Sequence, residues 1–182
     1  RLTVNANVDW YGKETTKFLT LTFAEDIKDL KKANLHFMNF VKRMNRFLNF
    51  KLRYIAVVQF QDKTRGGVIH YHIMLFNVPF VPVSKITEIW GHGFVKINAI
   101  DDVNNVGAYM VGYMGKNLVD ERLFNQKRFF RSKGLAKPTE VKGMAEDFKN
   151  FPGDFKKTFE ATYENEYAGK IFYTQYRKKL DK

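Results

Sequence analysis

Two histidines flank one tyrosine, His70-Tyr71-His72, inside the apolar run from Val68 to Phe76. Alternate side chains of a strand share a face. Residues 70 and 72 therefore present two imidazoles side by side, while Ile69, Tyr71 and Ile73 point the other way. Neutral imidazoles held close together on a rigid sheet form half of a divalent-metal site. Two hydrogen-bonded core histidines are the alternative that this segment leaves open. A second set of polar groups follows in Ala108-Tyr-Met-Val-Gly-Tyr-Met-Gly-Lys116. Helical spacing puts Tyr109, Tyr113 and Lys116 on one face. A phenol near a lysine has a cation to favour its phenolate, the nucleophilic form. A tyrosine pair at a core edge is the plainer reading.

The elements that carry these groups follow from hydrophobic periodicity. Phe18-Leu-Thr-Leu-Thr-Phe23 alternates and predicts a strand, with Leu19, Leu21 and Phe23 on one face and Thr20 and Thr22 on the other. Ile27, Leu30, Asn34, Phe37, Val41, Met44 and Leu48 recur at helical spacing, with Lys28, Lys31, Lys32, Lys42 and Arg43 on the flanks. Residues 53–61 read as a second strand and 62–67 as a turn, so residues 53–76 form an antiparallel hairpin. N-cap logic at Ser84 predicts a short helix ending near Trp90. A strand over 93–97 and a helix over about 104–117 come next. Gly107, Gly112 and Gly115 each cost that helix about 1 kcal/mol against alanine, and they leave room for close approach of a neighbour. A short helix over 140–150 and a hairpin of 157–166 with 170–177 complete the chain. Hairpins dominate, which predicts an α+β fold built on an antiparallel sheet.

The 182 residues, 45% of them hydrophobic, suffice for one core, and 1–182 reads as a single domain. No run approaches the roughly 18 consecutive apolar residues of a membrane span. No signal-peptide pattern opens the chain, and no membrane partner is expected. The start at Arg1 points to a native beginning, and room for further domains, outside this sequence. With no cysteine, disulfides, thiolate metal sites and cysteine nucleophiles are excluded. Lys and Arg number 31 against 19 Asp and Glu, a formal charge of +12, which favours a polyanionic partner, nucleic acid first. Single-stranded nucleic acid asks for cations against phosphates and rings against unstacked bases. Lys127, Arg128, Arg131 and Lys133, around Phe129 and Phe130, are the segment that offers both. A solvated basic loop with its phenylalanines in the core is the competing reading.

Taken together, these motifs resemble the HUH endonucleases, specifically the rolling-circle replication initiators (Rep) of bacterial plasmids and phages. Phe18-Leu-Thr-Leu-Thr22 is similar to that family's first motif, and His70-Tyr71-His72 to its His-hydrophobic-His motif. Trp90-Gly-His-Gly-Phe-Val95 resembles a segment between the metal strand and the tyrosine helix, and Tyr113-Met-Gly-Lys116 the Tyr-x-x-Lys nucleophile motif. The resemblance spans roughly residues 18–116. Beyond it, Arg128-Phe-Phe-Arg-Ser132 followed by Lys137-Pro138 is similar to some Gram-positive Rep proteins.

The resemblance implies a central antiparallel sheet of about five strands with flanking helices, an RRM-like variant of the ferredoxin-like fold. It implies a site-specific single-stranded DNA endonuclease and strand transferase that initiates rolling-circle replication. Tyr113 would be the nucleophile of a 5′-phosphotyrosine intermediate, Lys116 its cationic helper and Tyr109 a second nucleophile. Where the two-tyrosine pattern often has a lysine just before the second tyrosine, this chain has Gly112. His70 and His72 would hold Mn²⁺ or Mg²⁺. Gln59 and Gln61, on one face of the neighbouring strand by parity, would add a carbonyl ligand where many relatives have Glu. His92 is a second choice for that role. The implied partners are single-stranded DNA or an extruded hairpin at a replication origin, and a host or attached helicase, in the cytoplasm of a bacterial host. A conjugative relaxase or single-strand transposase uses the same chemistry. A non-catalytic module that binds single-stranded nucleic acid is the alternative from another class, and it would need neither the histidine pair nor Tyr113.

Overall fold

The structure, a computed structural model, describes residues 1–100, 106–116, 120–127, 129–138, 155–167 and 169–178. The expected helix over 140–150 lies outside them. The chain divides into two compact units, Arg1–Pro138 and Thr139–Lys182.

In the first unit the elements run α1 (Leu2–Tyr11), β1 (Lys17–Thr22), α2 (Leu30–Leu48), β2 (Tyr54–Gln61), α3 (Asp62–Arg65), β3 (Val68–Leu75), α4 (Val83–Trp90), β4 (Val95–Ala99), α5 (Val106–Lys116) and β5 (Phe129–Arg131). The strands form one five-stranded sheet in the order β4-β1-β3-β2-β5, and every neighbouring pair is antiparallel. The α+β architecture read from the sequence is the one observed. β3, the histidine strand, lies at the centre with a partner on each side, where the scaffold moves least.

Strand alternation divides the sheet into two faces. Leu19, Leu21, Phe23, Ala56, Val58, Ile69, Tyr71 and Ile73 join the core beneath α2 and α4. α2 forms because Ala33, Phe37, Phe40, Val41 and Met44 make one apolar stripe. Its start is fixed by Asp29, whose side chain accepts from the Lys32 amide at 2.8 Å. Asn49, in the left-handed region, closes its end. α4 buries Ile86, Ile89 and Trp90. Arg43 locks the two helices by donating to the Ile89 and Trp90 carbonyls at 2.8 and 3.0 Å. The cap expected from Ser84 is not there. The helix begins at Val83 after Pro82 and has no side-chain cap, because the fixed φ of proline already sets the entry geometry.

The other face carries α1 and α5. Val4, Val8, Phe18, Ile55, Val57, Met74, Phe76, Ile100, Val106 and Met110 form a smaller core there. α1 escapes periodicity because only Val4 and Val8 are buried, while Leu2 and Trp10 stand out in solvent. Polar groups seat it instead. The fully buried Asn7 donates to Ala136 O and accepts from Ala136 N, both at 2.9 Å. Asn5 Oδ1 accepts from Gly107 N at 2.9 Å. A Cβ on Gly107 would fall 2.6 Å from that same oxygen, so only glycine lets α5 come so near α1. Gly112, by contrast, faces open space.

In the second unit, β6 (Phe155–Asn165) and β7 (Gly169–Lys178) form an antiparallel hairpin with a bulge between Lys157 and Phe159. Among the described residues no helix is long and apolar enough to cross a membrane.

Candidate active site

The register of the sheet builds the site. His70 pairs with Thr22 on one side and Gln59 on the other; His72 pairs with Thr20 and Val57. Directly opposed residues share a face. The imidazoles therefore stand on the α1–α5 face, with ring centroids 4.6 Å apart. The tyrosine helix packs over the same spot. Tyr113 lays its ring 4.1 Å from that of His72, and its hydroxyl is 3.1 Å from the Tyr109 hydroxyl. Phe18 closes the cluster, stacked on His72 at 5.5 Å and edge-on to Tyr109 at 5.0 Å. Four aromatic and imidazole rings thus enclose one polar pocket floor.

Each polar group has a defined setting. Thr20 Oγ1 is 3.1 Å from His72 Nδ1. When Nδ1 carries the hydrogen in this contact, the ring's lone pair is on Nε2. Gln59 Oε1 accepts from His70 Nε2 at 3.2 Å, and Gln59 Nε2 donates to the Tyr113 carbonyl at 3.1 Å. Gln61 opposes Val68 rather than His72, so the two glutamines do not meet the two histidines one to one. Yet Gln61 Oε1 is buried without a hydrogen-bond partner, a costly state for a carbonyl oxygen. Burial drives the His70 imidazole down to about 4, so it is neutral across the physiological range. Burial first, then the hydrogen bond with Tyr109, pushes the Tyr113 phenol up to about 12.

These donors fit a hard-to-borderline divalent cation. Neutral imidazole nitrogens and amide oxygens are ligands of Mn²⁺ and, less tightly, Mg²⁺. Adjacent ligands of an octahedral ion with bonds of about 2.1 Å stand about 3 Å apart, and His70 Nε2 and Gln59 Oε1 are 3.2 Å apart. Among the described residues no three His, Cys, Asp or Glu side chains gather as a metal site. Any ion here takes its oxygen donors from amides and water. His92 has no part in the cluster. It packs on His36, Trp90 and Phe23, whose rings belong to the α2–α4 side.

Lys116 is the last residue of α5, but its side chain lies outside the described residues, as does all of Arg128. The basic segment divides between the faces. Arg131 opposes Ile55 and Phe129 opposes Val57, which puts both on the site face, exposed. Phe130 is buried against Phe37 and Tyr71, and Lys127 Nζ sits 4.8 Å from its ring centroid. Lys133 is exposed, and its carbonyl accepts from Arg53. Sequence reasoning missed Thr20 as a partner of His72, although its parity with the imidazoles is visible. It also missed Lys96, which opposes Thr20 on β4 and is exposed on the site face.

A basic chain with an antiparallel sheet, a histidine pair on the central strand and tyrosines packed over it matches one known family. The family model for the replication-associated protein ORF2 matches residues 16–118, from the start of β1 through the end of α5. The chain belongs to this family of replication initiators. No curated protein and no solved structure gives a significant match.

Proposed function

We propose that this chain is the nicking domain of a replication initiator, an HUH-type tyrosine DNA endonuclease that cuts and rejoins one strand at an origin. The observation that carries the reading is the convergence of the Tyr109 and Tyr113 hydroxyls, 3.1 Å apart, beside the His72 ring. Tyr113 is the nucleophile. Its oxygen bonds to the scissile phosphorus as the bond to the 3′ oxygen breaks, and the departing 3′ oxygen takes up a proton. The products are a 5′-phosphotyrosine and a free 3′-hydroxyl. One phosphodiester replaces another, so the step is nearly balanced and the same site can reverse it.

His70, His72 and an amide oxygen of Gln59 or Gln61 would hold Mn²⁺ or Mg²⁺, which polarises the phosphate and stabilises its developing charge. The chain's own residues do the rest. Phe18 and His72 fix the Tyr113 ring. Tyr109 accepts or donates at its hydroxyl and serves as the second nucleophile. Lys116 supplies positive charge to phenolate or phosphate. With a phenol pushed up to about 12, such a cation is needed to reach the phenolate near neutral pH. Arg131, Lys133, Lys127 and Arg128 contact phosphates, and exposed Phe129 stacks on a base. The substrate is single-stranded DNA or an extruded hairpin in the cytoplasm of a bacterial host, opened by a host helicase or one attached elsewhere in the protein.

Incubation with labelled single-stranded origin DNA and Mn²⁺ tests this. A denaturation-resistant protein–DNA band is expected, lost with EDTA. It should fall on the order of 10⁴-fold in Tyr113→Phe, the scale of removing a nucleophile. Retarded but uncut DNA would support a binding module instead. Loss of cutting in Tyr109→Phe with Tyr113→Phe still active would exchange the two tyrosines' roles.

A further inference from the structure

The Gln59 side chain touches both halves of the site at once. It is 9% exposed, held on the edge of the apolar face between β3 and α5. A backbone carbonyl only accepts, so the amide nitrogen must face Tyr113 and the amide oxygen must face His70. The orientation is therefore forced by chemistry, with Nε2 at 3.1 Å from Tyr113 O and Oε1 at 3.2 Å from His70 Nε2. The oxygen also only accepts, so His70 carries its hydrogen on Nε2 in this arrangement.

We propose that the planar Gln59 amide couples occupancy of the histidine pair to the placement of Tyr113, as a positioning residue. This rests on the metal reading above. When a cation replaces the hydrogen on His70 Nε2, Oε1 already stands at ligand distance from that nitrogen and turns from hydrogen-bond acceptor to ligand. The nitrogen on the same rigid amide keeps its hold on the Tyr113 carbonyl. That carbonyl belongs to the residue bearing the nucleophilic phenol, in the last turn of α5. A load on one end of the amide is thus transmitted to the backbone of Tyr113, and the site tightens only when charged with metal. Gln61, whose buried oxygen has no hydrogen-bond partner, can contribute a ligand without pulling on Tyr113. A glutamate at position 59 would bind the ion more tightly but, as an acceptor only, would have nothing to offer the carbonyl.

The test measures Mn²⁺ binding by electron paramagnetic resonance and, separately, amide hydrogen exchange across residues 106–116, without DNA. In the wild type, Mn²⁺ is expected to slow exchange of α5 at least about threefold. Gln59→Glu should bind Mn²⁺ at least as tightly, yet leave α5 exchange unchanged by the ion. Gln59→Met, apolar and of similar volume, should bind more weakly and show no α5 response at saturation. Gln61→Met should keep the response once saturated. A wild-type response in Gln59→Glu or Gln59→Met, or wild-type binding with no change in α5, overturns the coupling while leaving the metal site standing. Absence of wild-type Mn²⁺ binding overturns both.

Discussion

The two faces of the central sheet are built from the same strands, residue by residue in alternation, yet they are put to different uses. Toward α2 and α4, Leu19, Leu21, Tyr71 and Ile73 are essentially inaccessible to solvent. The polar atom of Tyr71 there is answered by Asn34 at 2.7 Å. Toward α1 and α5, the next residue along each strand is Thr20, His70, His72 or Gln59, and the helices leave those groups at a rim. One face is dry and satisfied, so it anchors the strands; the other inherits that rigidity and uses it to hold a polar cluster. A sheet side chain therefore declares its role by parity alone, and adjacent residues should give opposite phenotypes when changed.

The sharpest contrast falls on two neighbouring phenylalanines. Phe130→Ala should cost about 3–5 kcal/mol of stability, the usual range for a buried ring. Phe129→Ala should leave the urea midpoint nearly unchanged but weaken single-stranded DNA binding by about 1–3 kcal/mol, the worth of one base stack. Chemical denaturation and fluorescence anisotropy on the same pair of proteins decide it. If both lose stability alike, the division of faces fails at β5.

A second contrast lies on β1. Leu21→Ala should cost about 2–5 kcal/mol of stability. Thr20→Val keeps the volume of the side chain and should be nearly neutral to folding. It removes the partner of His72 Nδ1 and should lower Mn²⁺ affinity about 10–100-fold, as loss of an outer-shell bond does. Calorimetric titration would reveal whether that hydrogen bond matters.

The polar face should also carry a pH signature that the apolar face lacks. His70 is near 4 in the folded protein and about 6.5 when unfolded. The unfolded chain binds the extra proton first. Stability is then fully present above about pH 6.5 and is lost as pH falls toward 4. His70→Gln should flatten that slope in a series of thermal melts, while Ile73→Val should not. The smallest effect expected is on the phenols. Tyr109→Phe removes one of the causes that raise Tyr113, so its phenolate absorbance should appear at lower pH than in the wild type. Burial, the larger cause, remains.

Much of the fold can be read in the sequence because alternation and helical spacing report burial directly. β1, the hairpin of β2 and β3, α2, α4 and the terminal hairpin all carry such patterns. The meeting of the histidine strand with the tyrosine helix is expected from the order of the motifs. What the sequence hides has a physical reason in each case. α1 is held by amide hydrogen bonds of Asn5 and Asn7 rather than by an apolar stripe. β5 has three residues, too few to show alternation among basic neighbours. The fourth strand lies at Val95–Ala99 rather than 93–97, because Gly93 belongs to the turn, where a Cβ would meet the backbone of Thr22 and Ala24. The dual contact of Gln59 depends on register and helix placement together, which no local pattern encodes.

The asparagines of α1 carry one further consequence. Because Asn5 grips the first turn of α5 and Asn7 clasps the strand-exit segment at Ala136, the opening dozen residues behave as a brace beneath the tyrosine helix. A tag or trim placed there for convenience of purification would be felt at the phenol, far along the chain, before it was felt by the fold.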